Sequence, residues 1–168
     1  MNLGSPSQTR RIVVRQLSPD DWQVERDLRL AALAESPTAF GSRLADAEKF
    51  GDAEWRARLA GQTRFAASIA GYPVGTIGYA PASSPYPGGT AVLVGMWVAP
   101  DFRGGGVADR LVVAVIAACR SNGFAAVWLS VTHGNDVAAR FYGRHGFVRT
   151  GTDFEGDGDT FDMILTLA

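Results

Sequence analysis

Apolar positions along the chain switch repeatedly between alternating and helical spacing, which predicts a mixed α/β architecture. Residues 11–17 (RIVVRQL) read as a first strand, because Ile12, Val13 and Val14 are β-branched. Ser18-Pro19-Asp20-Asp21 supplies a helix start, with a capping hydroxyl, a proline at the first position and acids in the first turn. From Trp22 the apolar residues Leu28, Leu30, Ala31, Leu33 and Ala34 keep helical spacing until Pro37 ends the run. A second helix is predicted over 52–60, where Asp52 caps and Trp55 and Leu59 stand one turn apart. Residues 65–69 and 74–79 read as a hairpin around Ala70-Gly71-Tyr72-Pro73, and 81–89 (PASSPYPGG) as loop. Residues 90–98 (TAVLVGMWV) are almost wholly apolar, as a strand buried on both faces would be, with Gly95 marking a bulge or a close backbone approach.

Beyond Gly104-Gly105-Gly106, the residues Leu111, Val115, Ala118 and Cys119 trace one face of a helix that ends at Asn122-Gly123. A strand over 125–131, a helix over 135–145 closed by Gly146, a strand over 147–152, an acidic loop over 153–159 and a strand over 160–167 complete the chain. The order β-α-α-β-β-β-α-β-α-β-β is not that of a doubly wound sheet. Residues 1–10 are polar and expected to be frayed, leaving 11–168 as one domain.

Composition narrows the function classes. With 46% hydrophobic and 20% charged residues, the chain has ordinary globular values. Its 16 basic and 17 acidic side chains give a net charge of -1, so no global positive field recruits nucleic acid or an anionic membrane. Cys119 is the single cysteine, which excludes an intrachain disulfide. The start lacks the apolar core of a secretory signal, and no run approaches the roughly 18 apolar residues of a membrane helix. A cytoplasmic location is the expectation.

The chemistry concentrates in Arg103-Gly104-Gly105-Gly106-Val107-Ala108. Glycines between an apolar strand and an amphipathic helix aim the free amides of a helix N-terminus at one point, where the dipole favours an anion. Arg103 adds a permanent positive charge. A dinucleotide fingerprint would need a third glycine where Asp109 stands, and the Gly-Lys-Ser/Thr of a Walker loop is absent.

The segment Val98-Ala99-Pro100-Asp101-Phe102-Arg103-Gly104-Gly105-Gly106-Val107-Ala108 resembles the cofactor motif of GNAT N-acetyltransferases, Q/R-x-x-G-x-G/A. Asn135, Ala138, Phe141-Tyr142 and Gly146-Phe147 resemble a second block of that family, N-x-x-A-x-x-x-Y-x-x-x-G-F. The resemblance implies a mixed, mostly antiparallel sheet of about six to seven strands, splayed at its centre and flanked by about four helices. It implies acetyl-CoA as cofactor, with the amides of Gly104, Gly105, Gly106, Val107, Ala108 and Asp109 on the pyrophosphate beside Arg103. Met96, Trp97 and Val98 would pair with the pantetheine arm, Asn135 would bond to it or to backbone beside it, and Tyr142 would face the sulfur. No metal is implied, and a homodimer is left open.

Acetyl transfer to a primary amine, on a small molecule or a peptide, then needs positioning, a polarised carbonyl and proton traffic. The amide of Val98 is the candidate oxyanion donor. Tyr142 is either the general acid or an aromatic core residue; a phenol has a reference pKa near 10 against about 8.5 for a thiol. The strands over 90–98 and 125–132 contain no Asp or Glu, so His133 is the local candidate base, set against an exposed loop histidine or a water chain. Asp153, Glu155, Asp157, Asp159 and Asp162 either favour a cationic acceptor or are simply solvated. Phe40 reads equally as a specificity residue or a core plug, Cys119 as core, and His145 as surface or packing. A catalytically silent acyl-CoA sensor or interaction module of the same fold is the alternative function.

Overall fold

The computed structural model describes residues 11–154, 156 and 158–167; the start expected to fray, together with Glu155 and Asp157 of the acidic loop, lies outside them. Strands β1 (Ile12–Gln16), β2 (Thr63–Ile69), β3 (Tyr72–Pro81), β4 (Ala91–Val98), β5 (Ala126–Thr132), β6 (Val148–Arg149) and β7 (Thr160–Thr166) form one sheet. Their order is β1-β2-β3-β4-β5-β7-β6, and every neighbouring pair is antiparallel except β4 and β5. The helices of the described residues are α1 (Trp22–Glu35), α2 (Leu44–Ala47), α3 (Asp52–Gly61), α4 (Val107–Ser121) and α5 (Asp136–Arg144). The expected architecture is present. The single turn α2 is an addition, too short to leave a periodic signal.

Alternation along β2 sends Phe65 and Ala67 to one side of the sheet and Ala66 to the other. On the first side lies α4, whose stripe Val107, Leu111, Val112, Val115 and Cys119 is fully buried. Each such side chain contributes about 1.5–3 kcal/mol by leaving water. Burial also pushes the Cys119 thiol up to about 12, so it stays protonated and inert. On the second side, Leu28 and Ala32 of α1 meet Leu17, Leu59, Ala66 and Trp97.

Three sequence expectations need correction, the first at α3, where Gly51 is the N-cap and Asp52 is already helical. The β2–β3 turn is Ala70-Gly71 alone, with φ of 51° and 84°, and Tyr72 and Pro73 already pair with Ile69 and Ser68. Two residues at positive φ twist with the strands they join, so no longer turn is needed. The strand expected over 147–152 shrinks to Val148–Arg149, paired with Ile164 and Met163. Beyond it the backbone still reaches β7, with Thr150 N donating to Asp162 O at 3.0 Å and Asp162 N to Thr152 O at 3.2 Å, but both bonds fall on one residue and interrupt the regular ladder.

The centre of the sheet is where it opens. β4 and β5 pair only at Ala91 with Val127 and Val92 with Trp128, then part. On its other edge β4 carries the bulge expected at Gly95: Trp97 faces Thr76 and Val94 faces Gly78, leaving Gly95 and Met96 opposite Ile77. Arg64 of β2 fills the bulge. Its Nη1 donates to Val94 O at 3.1 Å, and its Nη2 donates to Gly95 O at 3.3 Å and Thr76 Oγ1 at 2.8 Å. Its Nε donates to Glu25 Oε2 of α1 at 3.3 Å, while Glu25 Oε1 accepts from Arg58 Nε at 3.0 Å. Arg64 and Glu25 are wholly buried. A Cβ at Gly78 would stand 2.6 Å from Arg64 Cδ, and one at Gly95 2.6 Å from Arg64 Nη1. Glycine at both positions makes room for the guanidinium.

A buried cation whose partner is removed is far costlier than the pair is favourable. Glu25→Ala is therefore expected to lower the free energy of unfolding by about 3–5 kcal/mol in urea denaturation. A loss below about 1 kcal/mol would mean that Arg64 does not depend on this carboxylate.

Candidate active site

After Val98 the chain makes a single 3-10 turn, Pro100–Phe102, then runs through the three glycines into α4. Gly104 and Gly106 have φ of 75° and 86°, so the left-handed backbone is what requires glycine there; a Cβ at Gly104 would meet nothing within 4 Å. Gly106 caps α4 and its carbonyl accepts the first helical bond, from Arg110 N, at 3.1 Å. The amides of Gly104, Gly105, Gly106, Val107, Ala108 and Asp109 find no acceptor among the described residues. Donors that the protein leaves unpaired at the positive end of a long helix form an anion site. They border a cavity of 230 Å³ lined by Val98, Arg103, Gly104, Gly106, Ala108, Asp109, Phe141 and Arg144. Gly105 and Val107 turn to an adjoining hollow beside Ile12 and Phe102.

Charge around the loop is arranged differently from the expectation that Arg103 leaves its cation free. Its Nε donates to Val98 O at 2.9 Å and its Nη2 to Glu35 Oε2, at the end of α1, at 2.8 Å. Glu35 also accepts from Trp97 Nε1 at 3.1 Å and from the Ser36 hydroxyl. The bond from Arg103, followed by those from Ser36 and Trp97, holds the Glu35 carboxyl down to about 2. Arg103 thus works as a strut between β4 and α1. Arg144 is the less engaged cation on the cavity wall: it is largely exposed and 3.7 Å from Asp109 Oδ1. The same oxygen lies 2.9 Å from His145 Nε2, so His145 ties the end of α5 to the start of α4.

The last residues of β4 face the opening. Gly75 and Val98 are directly opposite, and Ala99 N donates to Val74 O at 2.8 Å, the pattern of a non-hydrogen-bonded pair. The N–H and C=O of Val98 therefore point away from β3, toward the side where β5 has left. Arg103 takes the carbonyl and the N–H remains available.

Over residues 27–147 the sequence matches the acetyltransferase (GNAT) family. The chain belongs to that family. Solved structures of the same fold include PaiA N-acetyltransferase from Thermoplasma acidophilum in complex with coenzyme A, at 17% identity, covering 93% of this chain and 99% of that one with a TM-score of 0.72. Another is yncA from Salmonella typhimurium with its cofactor acetyl-CoA, at 21% identity, 94% and 95% coverage and a TM-score of 0.73. A third is ribosomal-protein-alanine N-acetyltransferase from Brucella melitensis, at 21% identity, 92% and 99% coverage and a TM-score of 0.68. No curated protein matches the sequence significantly.

Within this GNAT fold the remaining sequence candidates fall in three places. Met96 is half-buried and Trp97 buried on β4, the latter against α1. Tyr142 is buried between Phe141 and Phe147, with ring centroids 5.1 and 5.7 Å away, and burial pushes its phenol well above the usual tyrosine value. Asn135 caps α5 by accepting from Ala138 N at 3.1 Å, and exposed His133 stands just before it, its ring beside Phe161 and its N–H on Asp159 O at 2.8 Å. Neither residue lines the glycine-loop cavity.

Sequence reasoning missed the link from Arg103 to Glu35, Arg144 and a polar chain on the α1 side of β5. There the Tyr86 and Ser130 hydroxyls lie 3.2 Å apart, and Ser130 Oγ donates to Asp162 Oδ1 at 2.9 Å. Asp162 Oδ2 accepts from Phe154 N at 2.8 Å, and the side chain is wholly buried. The reading of Asp162 as one of a solvated acidic set is therefore overturned; its place inside a strand rather than in the acidic loop was the available signal.

The depressed Glu35 carboxyl sets a pH expectation with a definite sign. Its bonds are fully present above the ordinary carboxylate range, about 4.3, and are lost only as pH falls toward about 2. The indole N–H resonance of Trp97 should hold its position from pH 7 to pH 4 and move at neutral pH in Glu35→Gln. A wild-type shift centred near pH 4 would show that Arg103 does not hold this carboxylate.

Proposed function

We propose that this GNAT protein transfers the acetyl group of acetyl-CoA to a primary amine, on a small molecule or a peptide, by direct attack in a ternary complex. The observation that carries the reading is the row of open amides from Gly104 to Asp109 beside a strand whose edge is unpaired beyond Val92. This chain's residues fit the cofactor. Open amides at a helix N-terminus suit a pyrophosphate, and an unpaired strand edge suits an arm built of amides. The solved relatives that hold coenzyme A or acetyl-CoA support the same reading.

Acetyl-CoA, when bound, supplies an activated acyl thioester. The protein's part is to orient and polarise it. Arg103 and Glu35 brace the end of β4, so that Val98 N–H stays aimed into the opening as an oxyanion donor. Tyr142 serves as the proton-holding group: burial raises its pKa, so the phenol remains a neutral donor across the assay range. His133, exposed at the head of α5, takes the proton that the incoming amine must lose.

Tyr142→Phe should reduce kcat by about 100-fold or more while leaving the calorimetric Kd for coenzyme A nearly unchanged. An unaltered rate would remove Tyr142 from the chemistry. Because its phenol is raised, any alkaline loss of activity near pH 10 should persist in this variant.

His133→Ala should flatten the acid limb of the kcat/KM profile; a retained limb would assign the proton to another group or to water. A panel of amines assayed for thiol release tests the activity itself. Tight acetyl-CoA binding with no release by any amine would instead make the chain an acyl-CoA-binding module.

A further inference from the structure

A second cavity, of 380 Å³, lies where α1, α2 and α3 meet. Its wall includes Arg29, Ser42, Arg43, Asp46, Trp55 and Arg58. The size is that of a small-molecule site. Arg29 is 7% exposed, yet among the described residues no carboxylate comes within ion-pair distance of it. Its Nη2 donates to Ser42 Oγ at 3.1 Å, and its guanidinium lies 4.8 Å over the Phe40 ring. Most of its five N–H donors are therefore unassigned.

The neighbouring acids are already engaged. Glu25 divides its two oxygens between Arg58 and Arg64, and Asp46 is flanked by Arg43 at 3.2 Å and Lys49 at 3.6 Å. Five cations thus gather around two carboxylates. Burial first, then the charges of Arg58 and Arg64, push the Arg29 guanidinium down to about 10, while Glu25 opposes the shift. Arg29's unassigned nitrogens are not sealed in the interior but reach the cavity it lines, where cations outnumber acids and a counterion would be favoured. Its planar fork matches a carboxylate or phosphate through two parallel bonds.

We propose that this cavity binds a small oxyanion, a carboxylate or phosphate group, with Arg29 and Arg58 as its donors beside Ser42. The oxyanion is carried either by the acetyl acceptor, in which case the assignment rests on the acetyl-transfer reading above, or by a free anion. A hydrogen-bonded chain of Arg58, Glu25 and Arg64 joins the cavity wall to the carbonyls of Val94 and Gly95 in the β4 bulge.

Inorganic phosphate and acetate, titrated separately into the full chain at constant ionic strength, test the site directly by calorimetry and Trp55 fluorescence. Saturable binding is expected in the wild type, weakened about tenfold or more in Arg29→Gln. Arg29→Lys retains a buried charge without the fork, so weakened binding at unchanged Tm reads the fork itself. Absence of saturable binding by both anions, or binding indifferent to both substitutions, overturns the proposal. A second arm compares acetylation of an amino acid with that of its amide. A KM about tenfold higher in the Arg29 variants for the carboxylate form alone assigns the oxyanion to the acceptor. Equal effects on both forms, with phosphate binding lost, assign it to a free anion. No transfer to any amine, with phosphate binding intact, would count against the acetyl-transfer reading and leave the anion site standing.

Discussion

The structure depends on how β4 survives losing a neighbour. Beyond Val92 the strand has no partner on the β5 side, and a bulge interrupts its pairing with β3. Buried backbone carbonyls without donors would cost free energy there. Two arginines from elsewhere in the chain supply the donors: Arg64 covers Val94 and Gly95, and Arg103 covers Val98. Each cation in turn needs a carboxylate, and both come from α1, as Glu25 and Glu35. These acids are ten residues apart, about 15 Å along a helix. Val94 and Val98 are about 13 Å apart along a strand. The helix therefore runs alongside the unpaired stretch with a counterion near each end, and the carbonyls of Val94, Gly95 and Val98 are covered while the Val98 N–H stays open.

That arrangement explains why the donor half of the site is rigid and legible. Glycine at 104 and 106 is dictated by left-handed backbone, and glycine at 78 and 95 by the bulk of Arg64. The need for glycine at 78 comes from a partner elsewhere in the chain, whereas the left-handed positions are visible in a sequence, since they depend on one residue type at one position. The apolar stripe of α4 and the near-continuous apolar run of β4 were readable for the same reason.

The parts that escaped the sequence are those set by partners far along the chain. Nothing near Arg64 announces that Glu25, thirty-nine residues earlier, will neutralise it. Arg103 looked like a phosphate ligand because its neighbours are glycines; its link to Glu35 spans sixty-eight residues. The residues over 147–152 have strand character and keep reaching β7, but Thr150 and Thr152 both bond the one residue Asp162, so regular pairing stops at Arg149. Asp162 sat among acids that suggested a solvated loop, whereas both faces of β7 are covered there and it packs indoors, against Ser130 and the Phe154 amide.

These pairings also change how charge bears on the acceptor. A net charge of -1 says nothing about local fields, and the acidic loop is not a plain negative patch. Asp153 accepts from Gly156 N and Gly158 N at 2.9 and 3.1 Å, fixing the loop's own turns, and Asp162 is directed inward. Across α1 the balance is reversed, because arginines outnumber the acids that face them. The chain thus uses cations to hold its opened strand, and the same set leaves positive charge behind α1. An acceptor chosen only for a positive charge would gain little from that wall. Under the anion-site proposal, an acceptor carrying an anionic group would find a complementary surface there, and its selection would follow from the same constraint that keeps the sheet open.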